Sequence, residues 1–139
     1  MKSKSFGHHH VIRMDKGDEI VSTLVRFCKD HAVQAGLLMG IGAAEKITIG
    51  YFDVNTKKYN FKELDGRYEI TSLLGNVAVA DGEPALHLHI NVADAQHRVF
   101  GGHLSSAVVS VTCEVVLHPF EGDIQRELSS EFPLKLFKF

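Results

Sequence analysis

Only one stretch of this chain repeats its apolar residues at helical spacing, and nearly all the rest alternates with the two-residue period of a strand. Between Asp18 and Gln34, Ile20, Leu24, Phe27 and His31 recur at steps of four, three and four, with Val21, Val25 and Cys28 widening the stripe. Asp18 and Glu19 fall in the first turn of this expected helix, where carboxylates meet the positive end of the dipole. Gly36 is the expected C-terminal stop. A lone amphipathic helix must bury its stripe against something, and strands are all that the remaining sequence offers.

The expected strands are His9–Met14, Leu37–Ile41, Lys46–Asp53, Lys58–Leu64, Arg67–Val79, Leu86–Val92, Arg98–Leu104, Ala107–Leu117 and a last edge strand within Phe132–Phe139. Asp65-Gly66 reads as a turn, and Asp81-Gly82-Glu83-Pro84 interrupts the chain. No internal repeat or linker divides the 139 residues, so the expectation is one α+β domain. Its sheet is largely antiparallel, with about seven to eight strands and one main helix on one face.

Composition removes several function classes. Fifteen Lys and Arg against 17 Asp and Glu leave a formal charge of −2, which disfavours a protein that coats nucleic acid, because phosphate neutralisation needs clustered cations. Two cysteines, Cys28 and Cys113, without a Cys-x-x-Cys pair, do not make a disulfide framework or a thiolate zinc site. The N-terminus lacks the apolar core of a secretory signal, and no apolar run is long enough to span a bilayer. The expected compartment is the cytoplasm. Nucleophile elbow, P-loop and dinucleotide fingerprint are all missing.

Histidine is the unusual component, at nine residues of 139. Along Leu86–Val92 the strand period sends Leu86, Leu88, Ile90 and Val92 to one face and His87, His89 and Asn91 to the other. Histidines two apart on a strand lie about 6.5–7 Å apart at Cα, close enough for both imidazoles to reach one ion. Thirteen residues intervene before His103, which ends Gly101-Gly102-His103. With Asp94 to His97 as a loop, His103 comes to lie opposite the segment His87–Asn91, and the two glycines leave room for close approach by a ligand or another backbone. Three imidazoles with a coordination position left open are a catalytic-type arrangement for a divalent metal, zinc first among the candidates. Glu69, Asn76, Asn91, Thr112 and Glu114 are candidates to orient these ligands or to join them. His31 is expected in the core or an interface. His97, His118 and the run His8–His10 have no expected role in the site.

Taken in order, Gly17-Asp18-Glu19-Ile20, Gly40-Ile41-Gly42-Ala43, Gly66-Arg67-Tyr68-Glu69-Ile70, Leu74-Gly75-Asn76, His87-Leu88-His89-Ile90 and Gly101-Gly102-His103-Leu104 form a set. The set resembles the PPC (plant and prokaryote conserved) domain family, over residues 8–137. The resemblance implies a compact α+β domain assembled as a homotrimer. It implies an interaction element at Gly66, Arg67, Tyr68, Glu69 and Ile70, with Tyr68 where the plant proteins have Phe. Stand-alone prokaryotic members are commonly described as DNA-binding proteins, and several look like metal binders through histidines matching His87, His89 and His103. The Arg-Gly-Arg-Pro core of an AT-hook, which inserts arginines into an A·T minor groove, is missing here.

Three readings stay open at this stage. The favoured one is a metal-binding homotrimer, acting in regulation through other proteins or a small ligand. Direct binding of DNA is the second. A zinc-dependent enzyme is the third, with the ion held by His87, His89 and His103 and Glu114 or Glu69 as general base. The membrane is not an expected partner.

Overall fold

The computed structural model describes all 139 residues, as eight strands and one helix. In chain order these are β1 (Lys2–Phe6), β2 (His9–Asp15), α1 (Ile20–Asp30), β3 (Gly36–Asp53), β4 (Lys58–Ala80), β5 (Glu83–Ala93), β6 (Val99–Pro119), β7 (Gln125–Leu128) and β8 (Lys135–Lys138). The α+β expectation holds: a mostly antiparallel sheet with one short helix.

Four long strands close on one another. β3 pairs with β4, β4 with β5, β5 with β6, and β6 returns to β3, every pair antiparallel. β2 adds to β6, and β1 to β2. The C-terminal hairpin β7–β8 touches β4 through one parallel bridge at Val79 and Gln125. β5 and β6 pair only over His89–Ala93 and Val99–His103, and α1 packs against both. Ile20, Leu24, Phe27 and Cys28 of the helix enter one core with Leu88, Ile90, Val92, Val109, Val115 and Leu117. The alternation in Leu86–Val92 is therefore real: Leu88, Ile90 and Val92 are buried while His87, His89 and Asn91 face outward.

The helix is shorter than its periodicity suggests at both ends. Glu19 is the N-cap, its carboxylate accepting from the backbone N–H groups of Val21 and Ser22 at 3.1 and 2.7 Å. At the other end Val33 N–H donates to Cys28 O and Ala32 N–H to Lys29 O, with Ala32 left-handed at φ 52. This is a Schellman stop built without glycine. Gly36 instead opens β3, where an added Cβ would meet the His118 carbonyl oxygen at 2.8 Å. His31 is the C-cap and is exposed rather than in the core, its ring stacked on Phe27 at 3.9 Å between centroids.

Several expected breaks are bends inside continuous strands. Leu37–Ile41 and Lys46–Asp53 fuse into β3, Lys58–Leu64 and Arg67–Val79 into β4, and Arg98–Leu104 and Ala107–Leu117 into β6. Asp65-Gly66 is not a turn: Glu45 pairs with Arg67 and Ile47 with Leu64, so the two residues bulge opposite Lys46. A second irregularity, where Gly42 pairs with Cys113 but Ala44 with Val109, breaks the period of two that would put Val109, Val111, Cys113 and Val115 on one face. Val111 is 67% exposed while Ser110 is buried. β1 and β7 carry too little apolar alternation to be expected from sequence.

Candidate metal centre

The three histidines singled out by spacing converge on the outer face of β5 and β6. His89 and His103 are direct cross-strand partners, and His87 lies two residues along β5 on the same side. Their ring centroids are 5.1 Å (His87–His89), 5.3 Å (His87–His103) and 5.8 Å (His89–His103) apart. One ring nitrogen from each lies within 4.8 Å of the other two. A tetrahedral zinc ion with bonds of about 2.1 Å needs these nitrogens about 3.4 Å apart. Small side-chain rotations supply that closure, because His87 and His89 are exposed and only His103 is half-buried.

Packing around the site explains the convergence. An added Cβ on Gly75 would lie 2.2 Å from the His87 carbonyl oxygen, so the missing side chain lets β4 run close beside His87. Gly101 and Gly102 serve the backbone rather than a ligand. The Asn91 side chain fills the space beside Gly101, and the Gly50 carbonyl lies against Gly102. Tyr59, which sequence spacing did not single out, stacks toward His103 with centroids 5.1 Å apart.

None of the three imidazoles has a hydrogen-bond partner in the protein, and His103 Nδ1 is a buried nitrogen with nothing bonded to it. Buried polar atoms are almost always satisfied, so such an orphan points to a missing ligand. Desolvation, then the neighbouring His103, His89 and Arg126 charges, holds His87 below the ordinary imidazole range. Desolvation and His89 do the same for His103. Both rings are therefore neutral near pH 7, the form that donates a lone pair to a metal.

The proposed supporting residues scatter. Asn76 is the cross-strand partner of His87, but its Oδ1 accepts from Arg126 at 2.6 Å. Glu69 and Glu114 line a different depression with Ile41, Gly42 and Thr71, and neither hydrogen-bonds to a histidine. Thr112 lies there too, its hydroxyl donating to Met14 O at 3.5 Å. In the element Gly66–Ile70, Gly66 is a bulge residue at φ +110 and Arg67 is exposed, 3.7 Å from Glu45. Tyr68 packs edge-on to Phe100 and donates to Asp65 O, while Ile70 is buried.

His89 also belongs to a longer row. Its cross-strand partners run from His103 and His89 through Leu74 and Met39 to Val116 and Val11. Side chains of cross-strand partners share a face, so four exposed apolar residues continue outward from the histidines.

Fold and site together define a small domain of closed antiparallel sheet that carries a three-histidine cluster on its outer face. The chain belongs to the Plants and Prokaryotes Conserved (PCC) domain family, whose model matches residues 1–121. It is 30% identical to a candidate DNA-binding protein of Bacteroides thetaiotaomicron, with a TM-score of 0.96 over 99% of this chain and 96% of that one. It is 32% identical to a plant- and prokaryote-conserved protein of Pyrococcus horikoshii, with a TM-score of 0.88 over 97% and 94% of the two chains. A metal-containing protein of Archaeoglobus fulgidus is 35% identical, with a TM-score of 0.89 over the full length of both. The chain is also 36% identical over 108 residues to a bifunctional GlmU protein of Synechococcus, of whose length that match covers 16%. No helix is long and apolar enough to cross a membrane.

Proposed function

We propose that this protein is a metal-binding, self-associating domain that acts in regulation through protein or small-ligand contacts, holding a divalent ion, zinc first, on His87, His89 and His103. The observation that carries this reading is the cluster itself: three imidazoles within mutual reach, none hydrogen-bonded, one with a buried orphan nitrogen. The metal-containing relative from Archaeoglobus fulgidus supports it. Bound there, zinc would polarise a ligand oxygen or lower the pKa of a water. Catalysis is the weaker alternative, because the pocket beside His87 and His103 is lined by no carboxylate able to serve as general base.

Support for self-association is the apolar outer face. Val11, Met39, Ile41, Leu74, Val111 and Val116 are each at least 40% exposed, and most of them border a depression of about 460 Å³. A contiguous apolar patch of this kind marks an interaction surface. The homotrimer in particular is carried over from the family. Two free, buried cysteines, both pushed up to about 12 by burial, suit the reducing cytoplasm.

Elemental analysis of the purified wild type beside a His87→Ala, His103→Ala variant tests the metal. One equivalent of metal in the wild type and none in the variant is the expected result. A wild type that stays metal-free after zinc is added removes the reading.

A further inference from the structure

Beside the histidines lies a pocket that the family match covers on one side only. Its volume is about 310 Å³, and His87, His103 and Tyr59 form one wall. The C-terminal hairpin forms the other with Arg126, Leu134 and Leu136, all beyond residue 121 where the family match ends. Such a volume is at the lower end for ligand sites and suits a molecule of few heavy atoms.

Charge decides what kind of molecule. Arg126 is half-buried and makes no ion pair with any carboxylate. Its guanidinium is fixed by Asn76 Oδ1 at 2.6 Å, by Lys135 O at 2.9 Å and by the face of Phe137, 4.5 Å below. Two of its five N–H donors are used in this way, and the rest are free. Lys135, the other cation on the pocket wall, is already paired with Asp81. No acidic residue lines the pocket. Tyr59 is also on its wall, and its hydroxyl has no hydrogen-bond partner in the protein. A half-buried, rigidly held cation without a counter-charge is costly unless an anion completes it. With a divalent ion on the histidines, the excess of positive charge grows further.

We propose that this pocket binds a small oxyanion, a carboxylate or a phosphate, with Arg126 as its anchoring counter-charge and its far end directed at His87 and His103. The bridge to a metal rests on the reading given above; the role of Arg126 does not. The planar guanidinium fork matches either oxyanion, and Asn76 is the positioning residue that holds the fork in place.

Calorimetric titration of inorganic phosphate and, separately, acetate tests this on full-length protein, both zinc-loaded and metal-free, with zinc content measured in each sample. At least one of the two anions is expected to bind, and the two titrations separate phosphate from carboxylate preference. Arg126→Gln should weaken the affinity about tenfold or more, while zinc content and melting temperature stay near wild type. Arg126→Lys, which keeps the charge but loses the fork, and Asn76→Ala, which unpins it, should each weaken binding in part, and they decide the matter if Arg126→Gln does not fold. Failure of both anions to bind the wild type, or equal binding by wild type and the Arg126 variants, overturns the proposal even when zinc is present. If no zinc is held, the metal reading fails, and the same comparison on metal-free protein decides the oxyanion site by itself.

Discussion

Asn91 Oδ1 occupies the place where Gly101 would carry a side chain: a Cβ built there would lie 2.1 Å from it. The pairing of β5 with β6, and so the meeting of His89 with His103 two residues away, depends on this exchange of a side chain for a hydrogen atom. Asn91 Nδ2 in turn donates to Ser72 Oγ at 2.9 Å, tying the same spot to β4.

Gly101→Ala should therefore destabilise the fold by about 1–3 kcal/mol, the usual range for overpacking. Chemical denaturation measures it. Because the tightest clash is with the Asn91 side chain and a lesser one with the Ile90 carbonyl oxygen at 2.9 Å, Asn91→Ala in the same protein should return part of the loss, and the double-mutant cycle should show coupling. Additive losses would mean that the contact is not the cause.

Met39→Glu places a carboxylate in the middle of the exposed apolar row, between Leu74 and Val116. If that face is the self-association surface, light scattering should show the wild type as a trimer and the variant as a monomer with an unchanged far-ultraviolet spectrum. A wild type that is already monomeric at micromolar concentration removes the trimer.

Glu19 links the helix start to the sheet, since its carboxylate also accepts from Ala107 N–H at 3.2 Å. Burial alone would push this carboxyl up, but the N–H donors of Ser22, Val21 and Ala107 outweigh burial and hold it below its ordinary value. A folded-state pKa below the unfolded one gives stability that is fully present above the ordinary glutamate range and is lost as pH falls through the folded value. Glu19→Gln should cost about 1 kcal/mol at neutral pH, as for loss of an N-cap. The gap between variant and wild type should close on acidification, read from urea unfolding at a series of pH values. A gap independent of pH would assign the effect to packing.

A formal charge of −2 and the absence of an AT-hook predict no retardation of duplex DNA in a gel shift, even at low salt. Retardation that weakens steeply with added salt would instead extend to this chain the DNA binding ascribed to its Bacteroides relative.

Much of the site was legible before the fold was known, because a strand's period of two is a local property. Leu88, Ile90 and Val92 had to point one way once buried, so His87 and His89 had to point the other. The short loop after β5 set the antiparallel return, and His103 arrived within the expected segment, opposite His89. The lone helix was legible for the same reason, although its end was not: a left-handed Ala32 and the buried Val33 stop it, and no residue type announces that.

Other features belong to the tertiary structure alone. Asp65-Gly66 carries the same dipeptide whether it turns a hairpin or bulges a strand, and only pairing with β3 on both sides makes it a bulge. Val111 does not share the buried face of Val109 and Cys113 because an irregularity in β6 resets the alternation, which a period count along one strand cannot register. Glu69 and Glu114 have the right chemistry to support a metal ligand but lie against Ile41 and Thr71 instead. Arg126 had no local pattern to mark it. It reaches the histidine pocket through a hairpin joined to β4 by a single bridge, at Val79 and Gln125. Sequence determined which side chains each strand presents, since that follows from backbone geometry one residue at a time. The closure of the sheet decided which of those side chains meet, since that depends on contacts between residues far apart in the chain.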